Sequence, residues 1–254
     1  MSIKKLRIKK PIQISLAIFL IIIVYGLFSS DSSAQQKDKL SSVADKGILI
    51  VANFPQETVP IRKWIRENGW EVQRGRPDSF IVKEKTLFMQ NTDASTAIGV
   101  KFKEKIDPRN YPEIEFRARV DEIPPASNVT VRQIDDSAFR LFVLFDKGGW
   151  ILSPPQTIGY VWDSTKQVGS TGRSATFGKV RYIVIGSGKE GLGEWKEYRR
   201  NILEDYKLLF DSSNVPKIQA IGLKCDSNHS NGHAASAIQW IRLRATKEAF
   251  RTKD

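Results

Sequence analysis

Cysteine occurs once in the 254 residues, at Cys225, so no intramolecular disulfide contributes to stability and the thiol is expected as a buried small hydrophobe. Histidine is nearly as scarce: His229 and His233 share one polar loop. No Gly-x-Ser-x-Gly, His-Glu-x-x-His or Cys–His constellation is present, which removes the common hydrolase and protease signatures. Gly186-Ser187-Gly188 and Gly191-Leu192-Gly193 lack the Gly-Lys-Ser/Thr of a phosphate loop, and no strand–helix–strand pattern surrounds them, so they read as turns. No internal repeat is visible. Basic residues form no run of five and no aromatic-interleaved basic motif, which argues against a nucleic-acid partner.

The apolar run Ile14–Phe28 lies at the N-terminus, behind Lys4, Lys5, Arg7, Lys9 and Lys10. That order predicts a basic end held in the cytoplasm and an apolar segment entering the membrane. The uncharged stretch Pro11–Phe28 would reach about 27 Å as a helix, slightly short of a ~30 Å hydrocarbon core. Ser32-Ser33-Ala34 then supplies the small residues that a signal peptidase accepts. Residues 1–34 therefore read as a signal peptide, with an uncleaved membrane anchor as the alternative. The rest is expected outside the cytoplasm, in a periplasm or tethered to the membrane. No Cys follows the run, which excludes a lipoprotein anchor.

Residues 1–34 hold five of the 40 Lys/Arg and one of the 28 Asp/Glu, leaving 35 basic and 27 acidic residues, net +8, beyond them. Such a balance favours polyanions and equally suits a solvated surface. Residues 35–46 are polar and read as a tether, 47–245 as a single domain, and 246–254 as a charged tail.

Within the domain the dominant period is two. In Glu113–Val120, Ile114, Phe116, Ala118 and Val120 share one face, while Glu113, Glu115, Arg117 and Arg119 share the other, which is a half-buried strand. Phe139–Phe145 is apolar on both faces except for Arg140, the mark of a central strand. Further strands are expected at 47–52, 80–82, 86–90, 97–102, 157–162, 180–185, 218–225 and 237–244, with Pro- and Gly-rich turns between them. A short helix is expected after Pro60, through Ile61, Trp64 and Ile65, ending at Asn68-Gly69. Trp195, Tyr198, Ile202, Tyr206 and Leu209 recur at three and four, predicting one amphipathic helix over 196–210 with an Arg200–Glu204 pair. About ten strands and one substantial helix predict an all-β fold, a two-sheet antiparallel jelly-roll or β-sandwich.

Several segments, in one order over roughly 69–243, resemble a bacterial exported family designated domain of unknown function 3047. Asp135–Phe145 (DDSAFRLFVLF) is similar to its DDFAARVYVVF strand, and Gly159-Tyr160-Val161-Trp162 to its NYVW. Trp195, Arg199-Arg200-Asn201-Ile202 and Asp205-Tyr206 match its W..ERRNV..DY, Asp226-Ser227-Asn228 falls on its TDTDNTG loop, and Gly69-Trp70 on its opening. The resemblance implies export and a jelly-roll fold similar to glycan-binding modules; it implies no established activity. Asn228 stands where the family has a second Asp, and Ile238-Gln239-Trp240-Ile241 lacks the acid of its YYGDI, so a metal or catalytic site made of those acids would be weakened here.

Strand alternation places Asp136 and Arg140 on one face, either as a polar pair for sugar hydroxyls or as a buried ion pair fixing register. Tyr160 and Trp162 share a face, with Trp150 in the loop before them, as sugar-stacking platforms or as core packing. The loop Asp226–His233 reads as an Asx-rich turn. Calcium is its weaker alternative, because the glycine comes one place late and no Glu stands at the twelfth position; zinc is weaker still. The leading reading is a non-catalytic, galactose-binding-like module for a glycan or acidic polysaccharide, contacted through Asp136, Arg140, Trp162, Arg199, Asp226 and Asn228, with no cofactor. The alternatives are a polysaccharide lyase or glycoside hydrolase on the same sandwich, and a structural envelope protein that uses its basic surface.

Overall fold

Period-two burial recurs in strand after strand, and two sheets result. The computed structural model describes residues 47–146, 154–175 and 177–246. One sheet runs β11 (Lys196–Asn201), β6 (Glu113–Glu122), β13 (His233–Arg244), β4 (Thr86–Thr92), β3 (Phe80–Lys83), with β1 (Ile48–Asn53) also paired to β13. The other runs β2 (Trp70–Arg74), β5 (Ser95–Ile106), β12 (Ile218–Asp226), β7 (Ser137–Phe145), β8 (Thr157–Asp163), β10 (Val180–Ser187), β9 (Thr171–Arg173). Their inner faces meet in one core: Leu87, Ile114, Phe116 and Ile241 come from the first sheet, and Phe139, Leu141, Tyr160 and Leu223 from the second. This is a β-sandwich, as the alternation predicts.

Two helices plug the gaps between the sheets. In α1 (Ile61–Glu67), Ile61, Trp64 and Ile65 are buried, and Trp64 packs on Phe54 and Trp70. In α2 (Ile202–Phe210), Ile202, Tyr206 and Leu209 face the core, with Tyr206 edge-on to Phe145 at 4.8 Å.

The expected helix over 196–210 is therefore half strand. Lys196–Asn201 pairs antiparallel with β6, and Tyr198 stacks on Phe116 at 4.9 Å. A strand side chain at 198 and helical ones at 202, 206 and 209 reach the same core, so the spacing mimics one continuous helix. Asn201 makes the break: its Oδ1 accepts from Leu203 N (3.0 Å) and Glu204 N (3.2 Å), capping α2. Arg200 pairs with Asp205 rather than Glu204, and Asp205 also accepts from Tyr160 Oη at 2.7 Å.

The outer face of the seven-stranded sheet carries a second, smaller core. Phe142, Leu144, Val161, Val180, Tyr182 and Val184 lie there beneath Val129. This explains why β7 is apolar on both faces. β10 pairs parallel with β8, against the antiparallel expectation, and β9, which lies between them in the chain, pairs along the far edge of β10 instead of closing a hairpin. Gly186 and Ser187 belong to β10 rather than to a turn, and a Cβ on Gly186 would collide with the Trp162 ring. Among the described residues no helix is long and apolar enough to cross a membrane. The N-terminal leader, the tether, the Gly148-Gly149 turn, Trp150 and the tail past Thr246 lie outside the described residues.

Asn201→Ala is expected to lower the unfolding free energy by about 1 kcal/mol, and Asn201→Asp to restore most of it, measured by urea denaturation. An unchanged midpoint for Asn201→Ala would contradict the capping role.

Candidate functional site

Five charged side chains lie buried at one end of the seven-stranded sheet's outer face: Asp135, Asp136, Arg140, Lys224 and Asp226. Arg140 stands opposite the inward Phe139 and Leu141, and its Nη2 donates to Asp135 Oδ1 at 2.8 Å. The partner is thus Asp135, not the expected Asp136. Both acids precede the strand, after a short helical turn at Arg132–Ile134, where strand alternation does not apply. Asp136 turns instead toward the loop after β12, accepting from His229 N (3.0 Å), Ser230 N (2.7 Å) and His229 Nδ1 (3.2 Å). Lys224, the cross-strand neighbour of Arg140, is ion-paired with Asp226. The structure therefore gathers Asp136, Arg140 and Asp226, with the half-buried Asn228 on the adjoining turn.

This cluster is closed over. Asp163 ties down two covering loops: its Oδ2 accepts from Val129 N (2.9 Å), and its Oδ1 from Thr165 N and Lys166 N (both 2.8 Å). Asp136, Arg140 and Asp226 have no exposed surface; both Asp136 oxygens and Asp226 Oδ2 are engaged from within, while Asp226 Oδ1 and Arg140 Nε and Nη1 have no hydrogen-bond partner among the described residues. Trp162 lies in the main core, 2 % exposed, its Nε1 donating to Gly188 O at 3.0 Å, so its ring has no face open to a sugar. Tyr160 is buried beside it. Arg199 is exposed on the outer face of the other sheet, paired with Glu113 at 2.6 Å. Trp162 and Arg199 therefore belong to neither the cluster nor each other.

His229 and His233 are held by different partners, His229 by Asp136 and His233 Nδ1 by Thr92 Oγ1 at 2.8 Å. Among the described residues no group of three or more His, Cys, Asp or Glu is placed to hold a metal ion. Cys225 is fully buried, and that burial keeps its thiol protonated.

The open concavity lies elsewhere, at the sandwich end where the β2–β3 connection meets the β4–β5 turn. It is a cleft of about 710 Å³, lined by Arg76, Ser79, Gln90, Asn91, Ser95 and Thr96 among others. Asn91 fixes its floor: Nδ2 donates to Cys225 O (2.8 Å), while Oδ1 accepts from Thr96 Oγ1 (3.1 Å) and Ser79 Oγ (3.2 Å). Ser95 lines the cleft through its backbone side, while its Oγ, on the face of Ala97, is buried without a hydrogen-bond partner among the described residues. The lining holds one carboxylate, Asp78, which Arg62 binds with two nitrogens at 2.9 and 3.1 Å. Sequence reasoning missed this cleft because its residues come from segments some 15 positions apart; the polar run Asn91–Thr96 is the one local signal.

The family model for a protein of unknown function (DUF3047) matches residues 66–242. The chain belongs to this family. No curated protein sequence matches it. Among solved structures, the chain is similar to a low-affinity xylan-binding module, CBM86, from Roseburia intestinalis, with 13% identity and a TM-score of 0.35 over 72% of this chain and 93% of that one. It is similar to a family 29 carbohydrate-binding module from Piromyces equi (12%, 0.34, 70% and 81%). The exoplasmic/lumenal domain of VIP36 in its Ca²⁺/Man2-bound form is a further likeness (12%, 0.40, 79% and 88%). At these scores and identities the likeness says nothing about a ligand for the DUF3047 chain.

The Asp136–His229 contact makes stability pH-dependent. Burial alone would raise the Asp136 carboxyl, but hydrogen bonds from His229 and Ser230 outweigh it and hold the group below the usual carboxylate range. The same bond raises the His229 imidazole above its ordinary value, against a smaller opposing effect of burial. The raised His229 contributes stability that is full below about pH 6.5 and is lost as pH rises through its folded value. The lowered Asp136 contributes stability that is present above about pH 4 and is lost as pH falls through its folded value. Urea titrations of wild type should therefore show a maximum in the mildly acidic range, and His229→Gln should flatten the alkaline limb. Asp136→Asn should cost about 3 kcal/mol at pH 6.

Proposed function

We propose that this chain is an extracytoplasmic carbohydrate-binding module that seats its saccharide in the cleft between the β2–β3 connection and the β4–β5 turn. One observation carries this reading: the cleft is lined by the exposed polar side chains of Gln90 and Thr92 above a floor that Asn91 fixes. Such groups match sugar hydroxyls, which both donate and accept. The volume falls within the roughly 300–1,000 Å³ of small-molecule sites. The basic, apolar, small-residue order of residues 1–34 supports placing the module outside the cytoplasm.

A two-carboxylate hydrolase on this sandwich would draw on Asp136 and Asp226, and both are buried and engaged. Asp78, in the cleft, is held by Arg62. The geometry therefore favours binding over hydrolysis.

A glycan array probed with the full chain, in calcium and in chelator, tests the reading. Thr92→Trp, which places a bulky ring on the exposed rim, should weaken binding at least about tenfold while leaving thermal unfolding near wild type. Trp162→Ala should instead lower stability by about 3–5 kcal/mol, as removal of a buried core ring does. Undiminished binding by a folded Thr92→Trp variant would overturn the cleft as the site. Loss of binding in chelator alone would reinstate calcium at the Asp226 loop.

A further inference from the structure

The cleft presents a fixed cation. Gly75, at φ +68, lies so close to β5 that a Cβ there would collide with the Ser95 carbonyl, so only glycine fits this corner. The next residue, Arg76, is extended (φ −116, ψ 123), its carbonyl accepts from Thr96 Oγ1 at 3.2 Å, and Pro77 follows with a ring-locked φ. The backbone of Arg76 is thus held on both sides and from β5, while its side chain is exposed in the cleft lining. Among the described residues Arg76 makes no ion pair: Asp78, two residues on, is taken by both nitrogens of Arg62 and feels Arg76 only through longer-range attraction. Arg62 reaches Asp78 from outside the lining and neutralises it, which leaves Arg76 as the lining's uncompensated charge, in a chain that carries +8 beyond residue 34.

We infer that the saccharide of this cleft is acidic, a uronic acid or another carboxylate-bearing sugar, with its carboxylate on the Arg76 guanidinium and its hydroxyls toward the exposed Gln90 and Thr92. The inference rests on the cleft being the saccharide site. A planar guanidinium binds a carboxylate through two parallel N–H···O bonds, a geometry that a neutral sugar cannot offer. The exposed polar side chains of Gln90 and Thr92 then meet the ring, and the arginine reads the charge. Attraction to an exposed arginine also weakens with added salt, so the acid preference should be salt-sensitive.

The test is isothermal titration of the full chain in detergent with oligogalacturonate, oligoguluronate and sialyllactose, each also as its methyl ester, at low and high salt. Wild type should bind at least one acid about tenfold or more tightly than its ester, with the gap narrowing at high salt. Arg76→Gln should erase the gap with an unchanged melting temperature, and Arg76→Lys should keep part of it. Gln90→Ala, in the exposed lining, should weaken acid and ester alike. Equal binding of acids and esters by wild type, binding of neutral sugars only, or a gap that survives Arg76→Gln would overturn the acid preference and leave the glycan reading standing. No binding to acids, esters or the neutral sugars of the array would overturn both.

Discussion

Arg140 has no exposed surface, yet it occupies a strand in which every residue from Ala138 on is otherwise Ala, Phe, Leu or Val. A guanidinium so placed must find its counter-charge inside the protein, because a lone buried ion costs far more than a domain's net stability. Asp135 supplies the direct pair, and the Tyr182 ring lies 5.8 Å from the guanidinium carbon. Across the ladder Lys224 brings in a second cation and Asp226 answers it. Asp136 closes the group by gripping the 229–230 backbone. Such pairs contribute little net stability over an apolar replacement, but removing one member strands its partner at a cost of about 3–5 kcal/mol. What the cluster fixes is geometry: the path of the loop into β7 and of the loop after β12.

That closure decides where a ligand has room. With loops fastened over it by Asp163, the seven-stranded sheet has a core on each face among the described residues. The outer face of the six-stranded sheet is open but its groups are already engaged. Glu115 takes Arg242 and Arg244, Arg242 sits 4.3 Å over the Trp240 ring, and Arg119 and Arg117 lie 5.0 and 5.7 Å from Trp195. Aromatic faces covered by arginines, and arginines bound by carboxylates, keep little capacity for a sugar. Among the described residues, the end cleft offers an open concavity with exposed polar side chains.

The strands with clean alternation, Glu113–Val120 above all, were legible because each has one apolar face and that face must be buried. The two-faced apolarity of Phe139–Phe145 likewise announced a central strand. The helix over 196–210 misled because side-chain spacing records which residues reach the core, not which backbone carries them; Tyr198 arrives there from a strand and Ile202 from a helix. Asp136 was assigned to Arg140 by a period that holds only inside β7, one residue too late to govern it. Arg200, Asn201, Asp205 and Tyr206, which match the family pattern, turn out to fasten and cap α2 and fill the core. The cleft was invisible because nothing in residues 75–79 or 90–96 alone marks a concavity. It exists only once β5 brings the two segments together.

The cluster and the cleft share a loop. Residues 227–233 hang from Asp136 at His229 and Ser230, and they meet the cleft's rim at three points: Ser227 N donates to Ala94 O (2.9 Å), Asp93 N donates to Gly232 O (3.1 Å), and Thr92 Oγ1 contacts His233 Nδ1 (2.8 Å). Asn91, in the floor, donates to the backbone of Cys225, one residue before the ion-paired Asp226. The rim thus takes its position from a buried carboxylate that solvent does not reach. A short loop pinned by two backbone N–H groups and an imidazole at one point, and by three bonds to the rim, cannot shift one set without straining the other. The five buried charges that look like a binding site act instead as the footing on which the cleft stands, which is why residues so prominent in the sequence have almost no exposed surface to offer a ligand.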